Sequence, residues 1–167
     1  AVVTHLHPDH FHGAVHLKTS VLVNEAEWAD AMSFRGRVIQ RLSGVPLPGG
    51  IDFRPVALDD GPFGAFATSR RLTTDGRVLL VSTPGHTRGH TSVIAIDDDS
   101  RQILLAGDTT DTLEQLHARR PDAITSDPAA QVQTMDRILA HAAKHPTIYL
   151  PTHDPDAVTR LTAGTTL

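Results

Sequence analysis

The stretch Thr4-His5-Leu6-His7-Pro8-Asp9-His10 constrains this chain more than any other. It places three imidazoles and one carboxylate within six residues, in the pattern His-x-His-x-Asp-His. Polar groups so concentrated are seldom buried without partners, and a divalent cation satisfies all of them at once. Val2-Val3-Thr4 has the character of a buried strand end, and Pro8 stops the following residues from continuing a ladder. In the irregular turn that results, His5 and His7 can face one way while Asp9 and His10 face another. That division suits two adjacent metals better than one. The interleaved aspartate and the spacing set the stretch apart from a purification tag or a His-rich surface loop.

Length and composition bound the rest. The 167 residues fit one domain, read here as a single unit over 1–167. Fifteen Lys and Arg are scattered, and five Phe with one Trp and one Tyr leave little for base stacking, which disfavours a nucleic-acid partner. No run of eighteen apolar residues exists, so a transmembrane helix and a membrane partner are not expected. Cysteine is absent, which removes thiolate chemistry. No signal-peptide pattern is present, and the expected location is cytoplasmic. The first motif follows closely on Ala1, whereas a strand carrying two metals needs neighbours on both sides. The sequence is therefore expected to be a fragment of a longer domain.

Periodicity predicts strands at 20–24, 53–58, 67–72, 77–82, 93–96, 102–105 and 147–150. Thr74-Asp75-Gly76 and Asp97-Asp98-Asp99-Ser100 read as hairpin turns. Helices are predicted over 25–33 with Asn24 as N-cap, with an extension over 38–42 beyond Gly36, and then over 111–118 and 128–144. Val132, Met135, Ile138, Leu139 and Ala142 give the last of these an apolar stripe. Asp154-Pro155 is placed to cap a final helix. Paired strands followed by helices predict a layered α/β domain with a mixed sheet.

Three further motifs share one layout, a strand followed by a loop that holds a metal-binding residue. They are Thr83-Pro84-Gly85-His86-Thr87-Arg88-Gly89-His90, Leu104-Leu105-Ala106-Gly107-Asp108 and Ile148-Tyr149-Leu150-Pro151-Thr152-His153-Asp154-Pro155. Ligands at strand ends sit on rigid supports, while the loops beyond them shape a pocket. In this order the four motifs resemble the metallo-β-lactamase fold, and specifically its dinuclear metal hydrolase branch.

The resemblance covers nearly the whole chain. It implies a metallo-β-lactamase-like αβ/βα sandwich, incomplete at the N-terminus, since the family carries several strands ahead of the position of His5. It also implies two divalent metal ions, with His5, His7 and His86 holding the first. Asp9, His10 and His153 would hold the second, and Asp108 would bridge them. Zinc is the foremost candidate, and iron, cobalt or manganese also suit His and carboxylate ligands.

Within the family, Thr152-His153-Asp154-Pro155 and Arg119-Arg120-Pro121-Asp122 look most like the N-acyl homoserine lactonases, a quorum-quenching group. Many of these place a Tyr a few residues after the bridging Asp. Here that neighbourhood is Thr109-Thr110-Asp111, and the single Tyr is Tyr149.

The function implied is metal-dependent hydrolysis of an ester-like bond, a lactone first, by a metal-bridging hydroxide. Asp108 and Asp9 are the candidate catalytic carboxylates, and a small lactone or ester is the partner. Thioester hydrolysis of the glyoxalase II kind, phosphoester hydrolysis, or a truncated non-catalytic metal-binding fragment are the alternatives. A face of uncovered apolar strands would favour association, a homodimer included.

His90 is expected to steady its loop by hydrogen bonding. Asp154 is placed either to orient His153 or to cap the last helix. His12 and His16 follow the motif and either line the site or lie on the surface. His117, His141 and His145 are expected on helix surfaces, and Arg88 in a solvated loop.

Overall fold

Strand β6 (Gln102–Gly107) carries the second strand-end motif and lies inside a five-stranded sheet. The other strands are β3 (Ser69–Arg71), β4 (Val78–Ser82), β5 (Thr91–Ile96) and β7 (Thr147–Pro151), in the order β3-β4-β5-β6-β7. Neighbours are antiparallel except β6 and β7, which run parallel, so both of these end at the same edge of the sheet. The computed structural model describes all 167 residues.

Alternation along the strands directs one apolar face toward the helices. Leu79, Val81, Ile94, Leu104, Ala106 and Tyr149 form a core with Met135 and Ile138 of α5 (Pro128–Ala142) and Leu116 of α4 (Leu113–Ala118). The opposite face is less completely covered, and Leu105 is 46% exposed there.

The first part of the chain forms a second, smaller layer. Strands β1 (Val21–Asn24) and β2 (Phe53–Val56) pair in parallel, and Val2 adds a single parallel bridge to Leu22. Their own core comprises Val3, Phe11, Ala14, Val21 and Val23, with Trp28 and Phe53 against it. The strand end predicted at Val2–Thr4 is thus only a bridge. Pro8, expected to interrupt a ladder, opens the one-turn helix α1 (Pro8–Phe11), because a missing N–H costs nothing at a first helical position.

Local signals place most of the remaining elements. Asn24 caps α2 (Glu25–Met32) by accepting from the Ala26 N–H. The predicted extension beyond Gly36 is a separate helix, α3 (Phe34–Ser43), capped by Ser33 and running through Gly36. Ser33 terminates α2 and starts α3 at once, which is why the chain turns there. The final helix α6 spans Ala157–Ala163 with Asp156, not Asp154, at its N-cap. No helix is long and apolar enough to cross a membrane.

The stripe predicted on α5 is rotated. Its buried residues are Gln131, Thr134, Met135, Ile138 and His141, so Val132, Leu139 and Ala142 lie toward its margin. The polar members are buried because each is bonded. Thr134 Oγ1 donates to Pro84 O (2.6 Å), Gln131 Nε2 to Thr109 O (3.1 Å), and His141 Nε2 to Gln102 Oε1 (2.7 Å). His141, expected on the surface, is therefore a core histidine.

Burial, with His145 close by, lowers the His141 pKa to about 4. The folded chain holds this imidazole neutral, whereas the unfolded chain takes up a proton below its ordinary value of 6.5. The associated stability is whole above pH 6.5 and declines as pH falls toward 4. Urea midpoints at pH 7 and pH 4.5 are expected to separate less for His141→Gln than for the parent chain. Equal separation in the two proteins would remove His141 from the acid response.

Candidate metal centre

The His-x-His-x-Asp-His stretch leaves the small layer through a bend at Thr4 and His5, is extended at His7 and then turns into α1. His7 is the residue before the helix, and Asp9 and His10 lie within its single turn. The turn is held from below by Phe11, which is 1% exposed in the small core. This change from extended to helical backbone splits the side chains into two sets, as the spacing suggested.

Ligand atoms of His5, His7 and His86 lie within 4.8 Å of one another, and so do those of Asp9, His10, Asp108 and His153. All seven sequence-derived candidates are brought together. His86 comes from the loop after β4, Asp108 from the end of β6 and His153 from the end of β7. Asp108 touches both sets. Its Oδ2 is 3.2 Å from His10 Nε2, 3.3 Å from His153 Nε2, 3.4 Å from His86 Nε2 and 3.8 Å from His5 Nε2. Asp9 Oδ2 lies 3.4 Å from both His10 Nε2 and His153 Nε2.

The donor chemistry fits a divalent cation. His5 Nε2, His10 Nε2 and Asp108 Oδ1 are buried without a hydrogen-bond partner, which is costly unless something else satisfies them. His7 Nδ1 and His86 Nε2 approach to 3.0 Å. Burial, followed by the neighbouring imidazoles, holds His5 far below its ordinary pKa, and burial with His86 lowers His7. Neutral imidazoles are the form that ligates metal. Burial works against ionisation of Asp108, but contacts with His10, His86 and His153 outweigh it and hold the carboxyl at about 2. His10 is raised, because its bond to Asp108 and the charge of Asp9 exceed the cost of burial.

Second contacts fix the rings. Thr4 Oγ1 lies 3.1 Å from His5 Nδ1, leaving Nε2 to face the site. His86 Nδ1 donates to Asp122 Oδ2 (3.1 Å), and Asp122 in turn accepts from Gln115 Nε2 and Gln131 Nε2 (2.6 Å each). His90 steadies its loop as expected. Its Nδ1 lies 3.1 Å from Thr83 O, and its Nε2 accepts from the Asp108 N–H (3.1 Å). Both ring nitrogens are engaged, and burial lowers its pKa to about 3. Gly107 makes this contact feasible, since its φ is +61° and a Cβ there would lie 2.6 Å from His90 Nε2.

Asp154 departs from both expected roles. Its Oδ1 accepts from Asp156 N, and its Oδ2 accepts from Leu113 N and Arg160 (2.7 Å). It ties the loop after β7 to α4 and α6, and no hydrogen bond links it to His153. Tyr149 lies behind the site, where its hydroxyl meets Thr109 Oγ1 (2.6 Å) and Thr110 Oγ1 (2.7 Å). Burial pushes that phenol up to about 12. His12, His16, His117 and Arg88 are exposed, and His145 is half-buried.

The contacts of two residues escaped the sequence reading, although Asp122 lies in the Arg119–Asp122 segment that resembles the lactonases. Asp122 is separated from His86 by 36 positions, and no periodic spacing reports such a contact. Glu27 looks like a surface residue of α2 but is 5% exposed. It accepts from Leu6 N (2.8 Å), Thr87 Oγ1 (2.7 Å) and Gly89 N (3.1 Å), joining the first motif to the His86 loop. Burial raises its pKa against those three bonds.

The site opens into a cavity of about 470 Å³ lined by His7, Pro8, Asp9, His86, Asp108, Asp111, Asp122, Ala123, Ile124 and His153. Such a cleft, with convergent polar groups at its base, is the usual form of a small-molecule site.

A mixed sheet whose strand-end loops bring His86, Asp108 and His153 against the His5–His10 segment defines a class of metal-site proteins. A family profile described as the Metallo-beta-lactamase superfamily matches residues 1–153, and the chain belongs to that superfamily. N-acyl homoserine lactonase AttM of Rhizobium radiobacter is 29% identical over 83 residues, which is 50% of this chain and 32% of that protein. A mutant of B. thuringiensis AiiA with N-decanoyl-L-homoserine bound at the active site has a TM-score of 0.69 at 21% identity, over 95% of this chain and 56% of that one. AidC, a dizinc quorum-quenching lactonase in complex with a product, has a TM-score of 0.62 at 14% identity, over 92% of this chain and 56% of that one. The chain thus spans just over half the length of these solved relatives, and the match to AttM covers about a third of that protein.

Asp122→Asn removes the charged acceptor that orients His86. Affinity for Zn²⁺, read by competition with a chromophoric chelator, is expected to fall about 10- to 100-fold. An unchanged affinity would mean that His86 is positioned without Asp122.

Proposed function

We propose that this chain carries the metal centre of a hydrolase that opens an ester-like bond, a lactone such as an N-acyl homoserine lactone in particular. The observation that carries the reading is the position of Asp108, whose Oδ2 lies within 3.8 Å of imidazoles from both ligand sets. His5, His7 and His86 would hold one divalent cation and Asp9, His10 and His153 a second, with Asp108 shared. Zinc fits the donor set, as do iron, cobalt and manganese. The resemblance to AttM and the presence of lactonases among the structural neighbours favour the lactone over other esters.

Bound divalent cations supply Lewis-acid polarisation of the substrate carbonyl and acidify water. The chain supplies the remainder. Asp108, ionised and held by its contacts with four histidines, would fix the separation of the two ligand sets and relay a proton from the attacking water toward the departing alkoxide oxygen. Asp9, more exposed in the same cavity, is the second carboxylate that would share this proton transfer. His90 holds the Asp108 backbone through the N–H contact, so the carboxylate does not reorganise during the reaction. Ala123 and Ile124 give the cavity an apolar wall for a carbon chain.

Elemental analysis of the purified, metal-loaded chain is expected to give two metals per chain. Asp108→Asn is expected to lower both the metal content and lactone hydrolysis, the latter by about a hundredfold or more. Hydrolysis at the parent rate in Asp108→Asn, or in chelator-treated protein, would sink the mechanism.

A further inference from the structure

One carboxylate in the cavity has no task in this scheme. Four aspartates line the cavity, and no Lys or Arg does. Asp9 and Asp108 face histidines of the ligand sets, and Asp122 is occupied by His86, Gln115 and Gln131. Asp111 differs. Its backbone N–H donates to Gln115 Oε1 (2.8 Å), which anchors the backbone, while its side chain makes no hydrogen bond or ion pair and is exposed to the cavity. Thr110 and Thr112 on either side are themselves tied into the start of α4. The carboxylate therefore sits on a braced segment three residues beyond Asp108, directed at the space a substrate would fill.

Resting on the hydrolase reading above, we infer that Asp111 determines specificity by accepting a hydrogen bond from an N–H group next to the scissile carbonyl. It thereby selects esters and lactones that bear an α-amide or α-ammonium. A carboxylate has acceptor capacity only, so an N–H donor completes it and a lone ether or methylene does not. The same charge disfavours substrates that carry a carboxylate or phosphate near the reacting bond, because no basic side chain lines the cavity to offset it. An amide-bearing lactone fits this wall, whereas a thioester whose thiol part carries free carboxylates does not. Asp111 is a specificity residue in this account, not a proton carrier.

The test compares the parent, Asp111→Ala and Asp111→Asn, each loaded with Zn²⁺. The substrates are N-hexanoyl homoserine lactone, γ-hexanolactone, which lacks the N–H, and a γ-lactone bearing a carboxylate. Asp111→Ala is expected to lower kcat/KM for the amide-bearing lactone about tenfold, mainly through KM, and to leave γ-hexanolactone within about twofold. Asp111→Asn is expected to raise kcat/KM for the anionic lactone about fivefold. Metal content should be the same in all three proteins.

Equal losses on the first two substrates, or loss of metal from the variants, would overturn the inference. Calorimetric binding of the ring-opened products, with and without the amide, reads the same preference without turnover. A parent protein that hydrolyses no lactone would count against the proposed function. A preference for the amide-bearing product over the amide-free one that is the same in parent and Asp111→Ala would count against Asp111.

Discussion

The Asp108 carboxylate is the contact on which the rest of the site depends. It lies among four imidazoles drawn from three separate stretches of chain, at distances between 3.2 and 3.8 Å. A carboxylate with almost no exposure is expensive to ionise unless positive charge or hydrogen-bond donors compensate. The surrounding histidines provide part of that compensation, and a divalent cation would provide the remainder. The backbone has been arranged to keep the carboxylate there. A left-handed glycine ends β6, and a fully buried His90 accepts the Asp108 N–H.

Behind the ligands, two other carboxylates translate the fold into orientation. Asp122 holds the outer nitrogen of His86 and is itself fixed by two glutamines, one from α4 and one from α5. Glu27, on a helix of the small layer, binds both the backbone between His5 and His7 and the loop that carries His86. Gly89 belongs to that loop, and an added Cβ there would collide with Glu27 backbone. Thr91 N and Oγ1 both bond Thr4 O, which makes a further seam between the layers. The two layers have separate apolar cores, so these polar contacts set their register at the metal centre.

The sheet explains why the ligands converge. Strands β6 and β7 run parallel and deliver Asp108 and His153 at one edge, while the loop between β4 and β5 brings His86 to that same edge. Apolar packing of α5 on the far side leaves the loops free to carry chemistry. The likeness to lactonases extends over most of this chain but only about half of those structures.

Much of this was legible before folding. The His-x-His-x-Asp-His stretch, the strand-end positions of His86, Asp108 and His153, the Asn24 cap and the two hairpin turns are local patterns. Backbone periodicity and ligand chemistry express such patterns within a few residues. The sequence by itself thus offered the strand-end and His-x-His-x-Asp-His side chains as candidates, the resemblance of its four motifs to a known family narrowed them to seven, and its periodicity pointed to a mixed sheet. Tertiary structure alone decided which polar residues go inside. Glu27 and His141 look like surface positions on amphipathic helices, and Asp122 looks like a loop residue. Each is buried or half-buried because its partners lie 21, 39 and 36 positions away. A buried polar group is defined by the donor or acceptor that meets it, and only the packed chain brings the two together.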